Sequence, residues 1–115
     1  MPRPPAQSQI WLIIGASRGI GLEFTRQLLL QPNTAIIATA RSPASASQLW
    51  PLTGTPNGQN LKILECDVSQ EQSIVMFVEQ VRREARVGGW LEAGWIDYVV
   101  LNAGVLEYPG RISEV

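Results

Sequence analysis

The sequence contains no histidine and a single cysteine, Cys66. A transition-metal site is therefore poorly provided for, and an internal disulfide is ruled out. Its formal net charge is −1 with both signs scattered, so there is no basic field for nucleic acid and no polybasic patch for a membrane surface. No apolar run approaches the ~18 residues of a membrane span, and residues 1–9, rich in proline and polar side chains, lack the apolar core of a secretory signal. These absences leave small-molecule chemistry in a soluble, cytoplasmic setting as the expectation. The 115 residues, 45% apolar and 17% charged, fit one small globular domain. Residues 1–9 are expected to form a flexible tail and residues 10–115 the domain. Cys66 reads as a small buried strand residue.

The most informative segment runs from Ile10 to Phe24. Five apolar residues, Ile10 to Ile14, fit a strand covered on both faces. Gly15, Gly19 and Gly21 follow and lead into a helix. Glycines permit positive φ and a close backbone approach, and a helix start offers free N–H groups and the positive end of its dipole. A pyrophosphate suits such a place. The spacing Gly-x-x-x-Gly-x-Gly does not end in the Gly-Lys-Ser/Thr of a P-loop, which argues against nucleoside triphosphate hydrolysis. The other possibility is a tight turn that holds no ligand.

Strand and helix signals alternate along the chain. Ile20, Phe24 and Leu28 recur at helical spacing until Pro32. Ala35 to Ala40 reads as the second strand. Ser42 and Pro43 resemble a cap and first-turn proline for a short helix over 44–50, with Pro51 to Asn60 as a loop. Leu61 to Cys66 reads as the third strand. Ser69 and Gln72 form a capping-box pattern ahead of a helix striped by Ile74, Val78, Val81 and Ala85 and stopped by Gly88 and Gly89. Ile96 to Leu101 is the fourth strand. With right-handed crossovers this order predicts the first half of a Rossmann-type, doubly wound α/β fold with a parallel sheet in the order 3-2-1-4.

Ligands of such sheets lie beyond the carboxyl ends of the strands. At the end of the second strand, where a dinucleotide site specific for NAD places an acid, the chain reads Ala38-Thr39-Ala40-Arg41. Arg41 instead offers a planar donor fork suited to a 2′-phosphate, and Arg18 in the glycine turn can approach the same group. The missing acid also argues against a methyltransferase that uses S-adenosylmethionine. Arg41 as a solvated surface residue is the plainer alternative. Asp67 after the third strand can accept a hydrogen bond from a ligand, or open the turn before Ser69, or do both. Asn102-Ala103-Gly104 closes the fourth strand, as a ligand passage or as an ordinary turn.

Taken together, these segments resemble the short-chain dehydrogenase/reductase family, whose motif Thr-Gly-x-x-x-Gly-x-Gly and Asn-Ala-Gly fall here at the family's spacing from about Ile10 to Val115. The tract Gly21 to Leu29 and the phrase Ala-Thr-Ala-Arg look most like carbonyl-reductase-type members related to C-factor and sniffer proteins. The resemblance implies an NADP (NADPH) cofactor. It implies that Gly15, Ser17, Arg18, Gly19, Ile20 and Gly21 bind the dinucleotide with Arg41, that Asp67 and Val68 flank the adenine, and that the cofactor passes over Asn102, Ala103 and Gly104. Ile14 departs from the family's threonine, a side chain that helps brace the turn in relatives.

The family's catalytic groups, a serine after strand five and a Tyr-x-x-x-Lys pair on the next helix, have no counterpart. Tyr98 and Tyr108 are followed four residues later by Asn102 and Ile112, and Lys62 is the sole lysine. No catalytic residue is therefore assigned. The expectation is a cofactor-binding N-terminal piece of a longer reductase, whose small carbonyl or alcohol substrate would be met in a full-length form. A non-catalytic nucleotide-binding module stands beside it, as does an interaction protein that self-associates or binds a partner through the exposed edge of its fourth strand.

Overall fold

The computed structural model describes residues 9–84 and 96–102. Four strands, β1 (Gln9–Ile14), β2 (Thr34–Ala40), β3 (Leu61–Glu65) and β4 (Tyr98–Leu101), form one sheet in the order β3-β2-β1-β4. All three pairings are parallel, with Leu12 between Ile37 and Val99. Helix α1 (Gly19–Leu29) links β1 to β2, and α2 (Glu71–Glu84) follows β3. This is the predicted Rossmann-type α/β order. No helix among the described residues is long and apolar enough to cross a membrane.

The side-chain period of two divides the strands between two cores. Ile10, Leu12 and Ile14 join Ala35, Ile37 and Leu64 beneath Phe77 and Val81 of α2. Ile13, Ile36, Ala38 and Leu61 face the other way, against Leu22, Phe24 and Leu29 of α1. Thus α1 and α2 cover opposite faces, and β2 is buried at every position. Lys62 of β3 forms an ion pair with Glu84 of α2, which pins the helix to the sheet edge.

Several local expectations change. Gln9 belongs to β1, paired with Thr34, rather than to a tail. The inward line of α1 is Gly21, Thr25 and Leu29, while Ile20 is 76% exposed. Gly21 packs on the turn below it, and positions four apart inherit that direction. No α-helix spans 44–50. The chain from Pro43 to Asn60 makes three 3₁₀ segments, Pro43–Ser45, Trp50–Gly54 and Gly58–Asn60. Ala46, Leu49 and Leu52 are its buried apolar residues, a spacing of three that suits 3₁₀ turns better than an α-helix.

The Ser69–Gln72 capping box is also absent. The Ser69 hydroxyl and N–H both donate to Asp67 Oδ1, at 2.6 and 3.0 Å, and α2 begins two residues later at Glu71. The inward line of α2 is Ser73, Phe77 and Val81, whereas Ile74 and Val78 are exposed. Ala85, Gly88 and Gly89 lie outside the described residues. Cys66 is buried just beyond β3, and its N–H donates to the Ala40 carbonyl, extending the ladder by one bond.

Candidate functional site

The glycine turn is held from both sides. Gly15 leaves β1 with φ of 90° and Gly19 opens α1 with φ of 63°, both in the region that favours glycine. The Gly15 N–H donates to Thr39 Oγ1 at 3.1 Å, and the Gly15 carbonyl accepts from Asn102 Nδ2 at 3.0 Å. Ala16 N–H donates to the Thr39 carbonyl at 2.8 Å, and Asn102 N–H donates to the Ile14 carbonyl at 2.9 Å. Side chains from β2 and from the end of β4 thereby clamp the residue at which β1 ends.

The third glycine is required by close packing. A Cβ on Gly21 would stand 1.9 Å from the Gly15 carbonyl oxygen and 2.7 Å from Asn102 Nδ2. Any side chain would push α1 off the turn and break the Asn102 contact. Arg18, at the N-cap of α1, is extended and makes no side-chain capping bond. Its position leaves the first N–H groups of α1 without a side-chain cap, where a helix attracts negative charge.

Beside this turn lies a cleft of about 500 Å³ lined by Gly15, Ser17, Arg18, Arg41, Asp67, Val68 and Asn102, together with Cys66, Ser42 and residues 45–48. The cleft spans the carboxyl ends of all four strands, and it brings together Gly15 of the glycine turn, the two arginines, Asp67 and Asn102. Gly19, which is exposed, and Gly21, which is buried against the turn, do not line the cleft. Ile20, exposed on the first turn of α1, is not part of the lining. Ala103 and Gly104 lie outside the described residues.

The electrostatics favour a permanently charged floor. Ser69 holds the Asp67 carboxyl below the usual carboxylate range through its hydroxyl and N–H bonds, and the positive charge of Arg41 adds to this. Neither Arg18 nor Arg41 forms an ion pair with a described residue, so both guanidinium forks remain available to a ligand. Burial, with a contribution from the Asp67 charge, pushes the Cys66 thiol upward, which keeps it protonated and unreactive. Thr39 and the serines of the 3₁₀ segment were not legible as site residues. Only the close spacing of Ser42, Ser45 and Ser47 after Arg41 was a signal.

A glycine turn beside a cleft at the switch point of a parallel sheet is the arrangement seen in dinucleotide-binding proteins. The sequence matches the short chain dehydrogenase family over residues 9–115, and the chain belongs to that family. It is 33% identical over 101 residues to the short-chain dehydrogenase/reductase tropG of Talaromyces stipitatus, covering 82% of this chain and 28% of that relative. It is 36% identical over 108 residues to the uncharacterized oxidoreductase YusZ of Bacillus subtilis, covering 93% and 34%. Among solved structures, the NADPH bound carbonyl reductase from chicken fatty liver superposes with a TM-score of 0.72 at 26% identity, over all of this chain and 39% of that one. The carbonyl reductase Sniffer of D. melanogaster gives 0.67 at 26% identity, over 94% and 41%. The chain spans about a third of the length of the curated relatives it matches.

Proposed function

We propose that the chain is the NADP-binding portion of a short-chain dehydrogenase/reductase, whose parent reaction passes a hydride between NADPH and a carbonyl or alcohol. Family membership supports a nicotinamide dinucleotide, and the turn suits its pyrophosphate: Gly21 admits no Cβ, and the first N–H groups of α1 have no side-chain cap. The observation that carries the choice of NADP is the pair of arginines, Arg18 and Arg41, that line the cleft without an ion-pair partner among the described residues, with no acid at the end of β2. When bound, the nicotinamide supplies or accepts the hydride.

This chain's own residues bind and orient. Arg18 and Arg41 grip the 2′-phosphate, Asp67 accepts from the adenine amine through the oxygen that Ser69 leaves free, and Val68 walls the ring. Asn102 keeps the Gly15 carbonyl turned away from the phosphates. Arg41→Asp tests the assignment. A charge-assisted contact is worth about 1.5–3 kcal/mol, so affinity for NADPH is expected to fall about tenfold or more while NADH becomes the better ligand. An unchanged ratio of the two affinities in a fluorescence titration would reject the arginine assignment.

One observation favours a second reading, a nucleotide-binding module without turnover of its own. The sequence has no Tyr-x-x-x-Lys pair, and its lone lysine, Lys62, is engaged with Glu84 on the sheet edge. General-acid catalysis contributes ~10²–10⁴-fold, and none of the described residues that line the cleft is paired with a lysine to provide it. NADPH oxidation by the 115-residue chain is expected to stay at the uncatalysed rate across a panel of aldehydes, ketones and quinones.

A further inference from the structure

Gly15 is unusual in that both of its backbone polar groups end on side chains, Thr39 Oγ1 on one flank and Asn102 Nδ2 on the other. Residue 39 also holds the next N–H, that of Ala16, through its own carbonyl. Thr39 is fully buried in β2, its bond to the half-buried Gly15 N–H lies partly out of solvent, and its branched Cβ restricts χ1 to few rotamers. Ile14, just before the turn, is buried in the apolar cluster beneath Phe77 and has no hydroxyl to offer.

We propose that Thr39 is a positioning residue for the dinucleotide: from β2 it fixes the peptide at which the chain leaves β1, and so sets the height of the glycine turn against the pyrophosphate. Without the hydroxyl the Gly15 N–H is left with no partner on the buried side, and an orphaned buried donor is costly. The turn then relieves it by shifting or opening toward solvent. Thr39 touches no ligand itself, since it does not line the cleft. The ligand half of this proposal rests on the nucleotide reading above, whereas the amide half does not.

The test compares the wild-type chain with Thr39→Val, which keeps the shape and removes the hydroxyl, and Thr39→Ser, which keeps the hydroxyl. Thr39→Ala takes the place of the valine variant if that one does not fold. In the free protein, amide exchange at Gly15 is expected to speed up about tenfold or more in Thr39→Val relative to Leu12 in the same strand, and to return toward wild type in Thr39→Ser. NADPH affinity should fall about tenfold in Thr39→Val. Adenosine 2′-monophosphate, which has no pyrophosphate, should bind all three proteins alike. Unchanged Gly15 exchange in Thr39→Val, a serine variant as impaired as the valine one, or an equal loss for both ligands would overturn the proposal. Failure of the wild type to bind either ligand would reject the nucleotide reading, and the exchange comparison would still decide the role of Thr39.

Discussion

Strands β2 and β4 flank β1 on opposite sides and read alike in sequence, as short runs of apolar and β-branched residues. Their surroundings differ sharply. Every residue of β2 is buried, between the α1 side and the α2 side of the sheet. In β4, Val99 is 61% and Leu101 73% exposed, both on the face covered farther along by α2, while Tyr98 on the other face, itself exposed, stacks on Trp11 at 4.2 Å. Among the described residues nothing pairs with the outer edge of β4. An apolar run thus reports the capacity to be buried, and its neighbours decide whether that capacity is used. The covered and the uncovered strand meet at the end of β1, because Thr39 comes from the covered strand and Asn102 from the end of the uncovered one.

The contrast can be broken most strongly in β2. Ile37→Ala should cost about 2–5 kcal/mol through lost burial and a cavity that packed neighbours cannot close, whereas Val99→Ala should cost less than about 1 kcal/mol, since little is packed against it. Urea midpoints at constant m-value measure both. Comparable losses would mean that the two strands are equally covered in solution. A smaller effect concerns the free edge. Sedimentation velocity should detect concentration-dependent association of the wild-type chain, reduced by Val99→Lys, because a lysine on an open edge disfavours pairing with another chain.

The smallest effect lies on α1. Arg26 and, next, Gln27 hold the Glu23 carboxyl down from 4.5 to about 2 through side-chain hydrogen bonds. Because the folded value is depressed, this contribution to stability is present above the ordinary carboxylate range and is lost as pH falls through about 2. A side-chain NMR titration should place the Glu23 midpoint near that value, and Arg26→Gln should raise it.

Much of the fold was legible because periodicity and glycine spacing are local signals. The run Ile10 to Ile14, the glycines at 15, 19 and 21, and the strand signals at 35–40, 61–66 and 96–101 sufficed for the parallel order 3-2-1-4. The register of each helix was not. Ile20 and Ile74 fit a helical stripe as well as Gly21 and Phe77 do, and only the close approach of Gly21 to Gly15 and the seat of Phe77 over Leu12 and Leu64 break that tie. Ser69 could cap α2 or satisfy Asp67, and a hydroxyl two residues after a β-turn carboxylate reaches it more readily. In the site, Arg18, Arg41, Asp67 and Asn102 were legible from their positions after strands. Thr39 was not, since a buried threonine inside a strand normally signals β-propensity alone.

The central claim is that the arginine-lined cleft at the carboxyl end of the sheet selects a 2′-phosphorylated dinucleotide. Calorimetric titration of the wild-type 115-residue chain with NADPH and with NADH tests it most directly. The account predicts saturable binding of both with NADPH at least about tenfold tighter, and equal affinities, or a preference for NADH, would contradict it.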